Sequence, residues 1–305
     1  MHAKLTDALR HAGASGTDRI SVLASVPAAA ITAFLLTITG AWIAAIIIVA
    51  VLASIVIHEA AHALAAKLVK VRTVEFFCGF GPRLVSIRRG HCDYGIKLIP
   101  AGGYVKLHPE DEARASRAAT SFIAVAGPLA NLALALVLLF AGAMAANADG
   151  PADAAGRSFA ALRDTGAAMV APITGLPEHT VTMVEGAATD KPVAAEQRIL
   201  SPVGLGQVAG SAASTTQPLF MALVLVASVN IALALFNLVP IPPLDGGLIL
   251  LNTIEGVGSR VARRPVEVPP RLIKAVSYAF VGFTLLATAA ALVLDVTQPV
   301  PNPFA

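Results

Sequence analysis

The chain has 305 residues, of which 56% are hydrophobic and 13% charged, with a mean hydropathy of +0.74 and a formal net charge of +3. A soluble domain carries roughly 25% charged residues, so this composition excludes an ordinary water-soluble globule. Its Lys and Arg are scattered, with no basic run dense enough to hold nucleic acid, and its two cysteines, Cys78 and Cys92, are too few for a disulfide framework and read as free thiols.

Charged residues are absent over residues 20–57, 118–148, 199–244 and 275–294. Each stretch is at least as long as the roughly 20 residues needed to span a bilayer. The first is long enough for two helices, and TITGAW (37–42) supplies a break between them. The predicted fold is therefore mainly α, a polytopic membrane protein with about five transmembrane helices and a small membrane-associated β-region on the cytoplasmic side.

In chain order, residues 1–19 are expected to be a cytoplasmic N-terminus and 20–40 an additional transmembrane helix, too long for the core of a cleaved signal peptide. The main unit covers 41–251. Within it, a second helix carries an HEAAH segment, and 69–117 alternates in short runs such as RLVSI and YGIKL, the pattern of a β-region. A third helix is expected over 119–145, a mixed external loop over 146–214, and a fourth helix over 215–240, stopped by the prolines of PIPPL. Residues 252–273 form a cytoplasmic connection, 274–295 the last span and 296–305 an external tail. Residues 1–19, 69–117 and 252–273 hold three, nine and four basic residues, against four in the long loop. Positive-inside bias thus places the N-terminus in the cytoplasm and the C-terminus outside.

The segment His58-Glu59-Ala60-Ala61-His62 sets two imidazoles four residues apart, on one face of a helix, where both can hold one zinc ion. Glu59 then stands beside the metal as general base and acid. From Trp42, a rise of about 1.5 Å per residue puts His58 about 24 Å into a hydrocarbon core of about 30 Å. Ionisable groups at such depth mark function by default. Two histidines leave zinc one protein ligand short. Asp245, the only acidic residue between Glu196 and Glu255, lies at a matching depth and is the expected third ligand.

HEAAH in one helix and Asn237-Leu238-Val239-Pro240-Ile241-Pro242-Pro243-Leu244-Asp245-Gly246-Gly247 in a later one resemble the site-2 protease family of intramembrane metalloproteases. Further similarity lies in Gly79-Phe80-Gly81-Pro82, in Pro100-Ala101-Gly102-Gly103-Tyr104-Val105-Lys106, in Ala126-Gly127-Pro128-Leu129-Ala130-Asn131 and in Ser201-Pro202-Val203-Gly204-Leu205. The resemblance implies Zn2+ on His58, His62 and Asp245, and proton transfer by Glu59. It also implies substrate contacts at Asn237, Gly103, Pro240 and Pro242. Asn237 has a rationale of its own, because a peptide bond must leave its helix before attack and an amide can hold the freed backbone. Asn131 and Asn230 read as interhelical hydrogen-bonding residues, and Gly127-Pro128 as a packing and kink device.

By the same resemblance the partners are the lipid bilayer and single-pass transmembrane proteins, such as anti-sigma factors or signal-peptide remnants, in a bacterial inner membrane. The external loop is too short for the PDZ domain that many bacterial members carry, and no CBS-type domain is expected after the last helix. Substrate choice then falls to the loop, to a separate adaptor or to an upstream protease. Two other classes share parts of this pattern: a membrane-anchored zinc protease acting at the cytoplasmic face, and a non-proteolytic metal-binding membrane protein.

Overall fold

The computed structural model describes residues 42–302, apart from 147, 190, 195, 196 and 214. The expected N-terminal segment 1–19 and the additional helix 20–40 lie outside these residues. Among the described residues, four helices are long and apolar enough to cross a membrane: α1 (Trp42–Leu68), α3 (Arg117–Ala145), α7 (Pro218–Asn237) and α9 (Pro270–Thr297). The chain is a multi-pass membrane protein, mainly helical, with one small sheet.

Helix α1 ends in a Schellman arrangement. Lys70 takes a left-handed conformation (φ 61°), its N–H donates to the Lys67 carbonyl, and the Val71 N–H reaches back to that of Ala66 at 2.8 Å. Val71 is buried against Ala65 and Ala66, the apolar contact that accompanies this motif. The chain then enters β1 (Thr73–Arg89), which pairs antiparallel with β2 (Cys92–Leu107). Both strands bend back on themselves, so that Glu75, Phe76, Phe77 and Cys78 each face two partners, one among 103–106 and one among 93–96. The bends fall at Gly79 (φ 89°), Gly81 (φ 84°) and Gly102 (φ 135°), conformations that favour glycine. Phe77 is fully buried at the centre, stacked on Tyr104 and covered by the cations of Arg83 and Lys97.

The open end of the sheet is closed by Arg72, whose guanidinium grips the Asp111 carboxylate at 2.6 and 2.9 Å from the short helix α2 (Pro109–Arg114). This pairing holds the Asp111 carboxyl well below the usual carboxylate range. Ser116 then caps α3 by accepting from the Ala119 N–H.

The spans meet through small residues, as expected where lipid leaves little hydrophobic drive between helices. Ala135 and Leu139 of α3 pack on Ala227 and Ile231 of α7, while Ile43 and Ile47 of α1 pack on Ala222 and Val226 of α7. Buried Asn230 donates to the hydroxyl of Ser54 on α1 at 2.9 Å, an interhelical hydrogen bond.

The segment read as a mixed loop is largely helical: α4 (Pro151–Thr174), α5 (Leu176–Thr189) and α6 (Pro202–Ala213). Its alanine content favours helix, and its apolar residues find partners that a sequence does not reveal. Ala161, Leu162 and Met169 join the α3–α7 core, and Met183 packs on Ala287, Ala290, Ala291 and Leu294 of α9. The expected polar connection after the fourth span likewise begins as a helix, α8 (Asp245–Ala262).

The C-terminal end of α9 is fixed by a buried ion pair. Asp295 accepts from Arg198 at 2.7 Å and from the Ser201 N–H at 2.8 Å, and a Cβ on Gly204 would strike its carboxylate. Removing one partner of a buried pair strands the other charge, at about 3–5 kcal/mol. Arg198→Ala should therefore lower the thermal midpoint of the detergent-solubilised protein sharply; an unchanged midpoint would show that the clasp contributes nothing.

Candidate metal centre

Helix α1 carries His58, Glu59 and His62, all three nearly buried although the helix is otherwise apolar. The four-residue spacing brings the two Nε2 atoms to 3.1 Å. Asp245 approaches from the first turn of α8, with its Oδ2 at 3.2 Å from His58 Nε2 and 3.3 Å from His62 Nε2. These donor atoms form a nearly equilateral triangle. The edges match the roughly 3.3 Å that separates ligands at about 2.0–2.1 Å from a tetrahedral ion.

Hydrogen bonding points the same way. His62 Nδ1 lies 2.7 Å from the carbonyl of Ile123 on α3, so this nitrogen carries the proton and Nε2 turns its lone pair to the centre of the triangle. Asp245 Oδ2 is buried and lacks a well-directed hydrogen bond, despite two nitrogens at hydrogen-bonding distance. A carboxylate oxygen left so in an apolar interior fits a cation held between the three residues. Among the described residues, this is the one cluster of three or more His, Cys, Asp or Glu groups with metal-ligating geometry.

Asp245 is delivered by a break in the chain. Helix α7 ends at Asn237, the backbone turns through residues 238–244, and α8 starts at Asp245 itself. The sequence placed Asp245 at the inner end of the fourth span; it opens a separate helix instead. The prolines forbid continuation of α7, and Gly246 and Gly247 allow α8 to lie on the turn, where added Cβ atoms would strike the backbone of Leu238 and Ile241.

Glu59 lies against β2, where a Cβ on Gly103 would come within 2.8 Å of its Cγ. A cavity of about 680 Å³ is bounded by His58, Glu59, His62, Gly103, Asn237 and Asp245, among others. Asn237 is half-buried and its amide nitrogen donates to the carbonyl of Leu233 at 2.9 Å. Of the prolines, Pro243 lines this cavity; Pro240 is exposed, Pro242 is buried, and neither is part of the wall.

Two contributors escaped the sequence. Gly127, read there as a packing and kink device, faces both imidazoles: a Cβ would meet His58 Nε2 at 2.6 Å and strike His62 Nε2. A glycine within a membrane span, in the helix after HEAAH, was the available signal. The Ile123 carbonyl acts through backbone and leaves no trace in side-chain pattern. Asn131, one turn from Gly127 on the same face, is buried, and its amide atoms have no hydrogen-bond partner among the described residues rather than a bond to another helix.

Fold and site together give an HExxH cluster on a helix of membrane-spanning length, joined by a carboxylate from a second helix and able to hold a metal ion. Residues 46–283 match Peptidase family M50, and the chain belongs to that family, the site-2 protease type. Zinc metalloprotease Rip1 of Mycobacterium tuberculosis is 38% identical over 105 residues, covering 30% of this chain and 26% of Rip1. A putative zinc metalloprotease of Clostridium acetobutylicum is 42% identical over 103 residues, covering 30% of each chain. One of Neisseria meningitidis is 36% identical over 103 residues, covering 30% of this chain and 23% of its own. The matched stretch thus spans about a quarter of the length of these relatives.

Gly127→Ala tests the crowding around the imidazoles. Alanine is the better helix former, yet its methyl group requires the rings to move. Metal content of the purified protein should fall at least about tenfold, as ligand displacement does, while Gly142→Ala, whose nearest neighbour stands at 3.5 Å, should leave it intact. Full metal content in both would refute the geometry.

Proposed function

We propose that this chain is a zinc-dependent intramembrane endopeptidase that hydrolyses peptide bonds within the transmembrane segments of single-pass proteins. The observation that carries this reading is the His58, His62 and Asp245 triangle sharing one cavity wall with Glu59, on a helix of membrane-spanning length. The names of the relatives, zinc metalloproteases, agree with the metal.

His58, His62 and Asp245 would hold the zinc, which supplies Lewis acidity and makes water a nucleophile near neutral pH. Ile123 keeps His62 in the tautomer that ligation requires. Glu59 takes the proton from the attacking water and returns it to the leaving amine. Its carboxylate is within the cavity yet outside the ligand triangle, as that role demands.

A substrate helix has its carbonyls committed to its own hydrogen bonds, so the chain must be extended before attack. Asn237 and Gly103 both line the cavity, one at a helix end and one on a strand. The amide holds the released backbone, and the strand carrying Gly103 offers it a pairing edge. The membrane is the bacterial inner membrane, with the N-terminus and β-region cytoplasmic and the C-terminus outside, as the basic residues favour.

Glu59→Gln, reconstituted with single-span substrates, should reduce cleavage by about 10²–10⁴-fold, the usual contribution of a general acid–base group. Zinc content should stay at the wild-type level. Equal cleavage by the variant and wild type would overturn the mechanism.

A further inference from the structure

Helix α8 brings Asp245 to the histidines, yet it has little hold on the rest of the protein. Its buried residues are Gly246 and Gly247, both in the first turn, whereas Leu248, Leu250, Ile254, Val257 and Val261 are exposed. The glycines fix only one end. Two turns on, Asn252 lies on the same face as Asp245, about 10 Å along the axis. Its Nδ2 donates to Thr120 Oγ1 at 2.9 Å and to Ser121 Oγ at 3.1 Å, both in the first turns of α3. The Thr120 hydroxyl donates in turn to the Arg117 carbonyl at 3.1 Å, which leaves its lone pairs to accept. Ser259 and Glu255 accept from the Val266 and Val268 N–H groups at 2.9 and 3.0 Å, which ties α8 only to the segment that follows it. Among the described residues the other polar tie to α3, Arg117 to Glu255, is a loose pair at 4.0 Å with a half-exposed guanidinium.

The same stretch of α3 orients the other ligands. Ile123 receives His62 Nδ1, and Gly127 admits both imidazoles. We propose that Asn252 is a positioning residue for the metal centre: its hydrogen bonds to Thr120 and Ser121 lock α8 to α3 and so hold the Asp245 carboxylate against His58 and His62. This rests on the reading that the three residues bind zinc. Asn252 touches no ligand atom; it acts through the helix.

The test is zinc affinity of the full chain in detergent micelles, measured by competition with a chromophoric chelator, alongside the thermal midpoint of the metal-free protein. Asn252→Leu and the pair Thr120→Val/Ser121→Ala should each weaken binding about 10–100-fold, the effect of losing an outer partner of a metal site. The triple variant should lose no more than either alone, because both remove the same bonds. Metal-free midpoints should shift little, separating positioning from general destabilisation. Unchanged affinity in both variants, or losses that multiply in the triple variant, would overturn the proposal. If Asn252→Leu does not fold, the Thr120/Ser121 pair decides alone, by weakened or unchanged affinity. Absence of zinc binding by the wild type would overturn the metal reading and this proposal together.

Discussion

The structure depends on one constraint: two imidazoles and two carboxylates must be kept together among helices long and apolar enough to cross a membrane. Ionisable side chains within a bilayer are expensive unless they pair with one another or with a ligand. On the proposed reading, His58, His62 and Asp245 offset that by converging on a shared cation, which requires α1 and α8 to be held to within about 0.5 Å. Helix α3 supplies the reference for both. It gives a carbonyl to His62, an empty Cα to the two rings and two hydroxyls to Asn252.

The rest of the molecule serves that alignment and the access to it. Alanine-rich contacts let α1, α3 and α7 approach closely, and the Ser54–Asn230 bond fixes their register. The unwound segment between α7 and α8 sets Asn237, Pro243 and Asp245 along one cavity, which a continuous helix would have spread over about two turns and different faces. The bent sheet brings Gly103 over Glu59, and its bends coincide with the glycines of the GFGP and PAGG segments.

Much of this was legible in the sequence, and the reasons are local. The spans could be read because bilayer thickness imposes a length on apolar runs. The pairing of HEAAH with Asp245 could be read because charge is so scarce in those runs that each instance stands out. Other features depend on what lies across a helix interface. The helices α4, α5 and α6 are stabilised by apolar faces on α1, α3, α7 and α9, which no single stretch of sequence announces. The separate helix α8 follows from how Gly246 and Gly247 seat on a turn, and the role of Gly127 from rings contributed by α1. Asn252 has no motif at all; only its partners, more than a hundred residues away, give it meaning.

The central claim is that the three donors share one metal. X-ray absorption at the zinc edge of the loaded protein examines it directly. The geometry predicts a shell of nitrogen and oxygen at about 2.0–2.2 Å with imidazole scattering from two histidines; a sulfur scatterer at about 2.3 Å, bringing in Cys78 or Cys92, would contradict it.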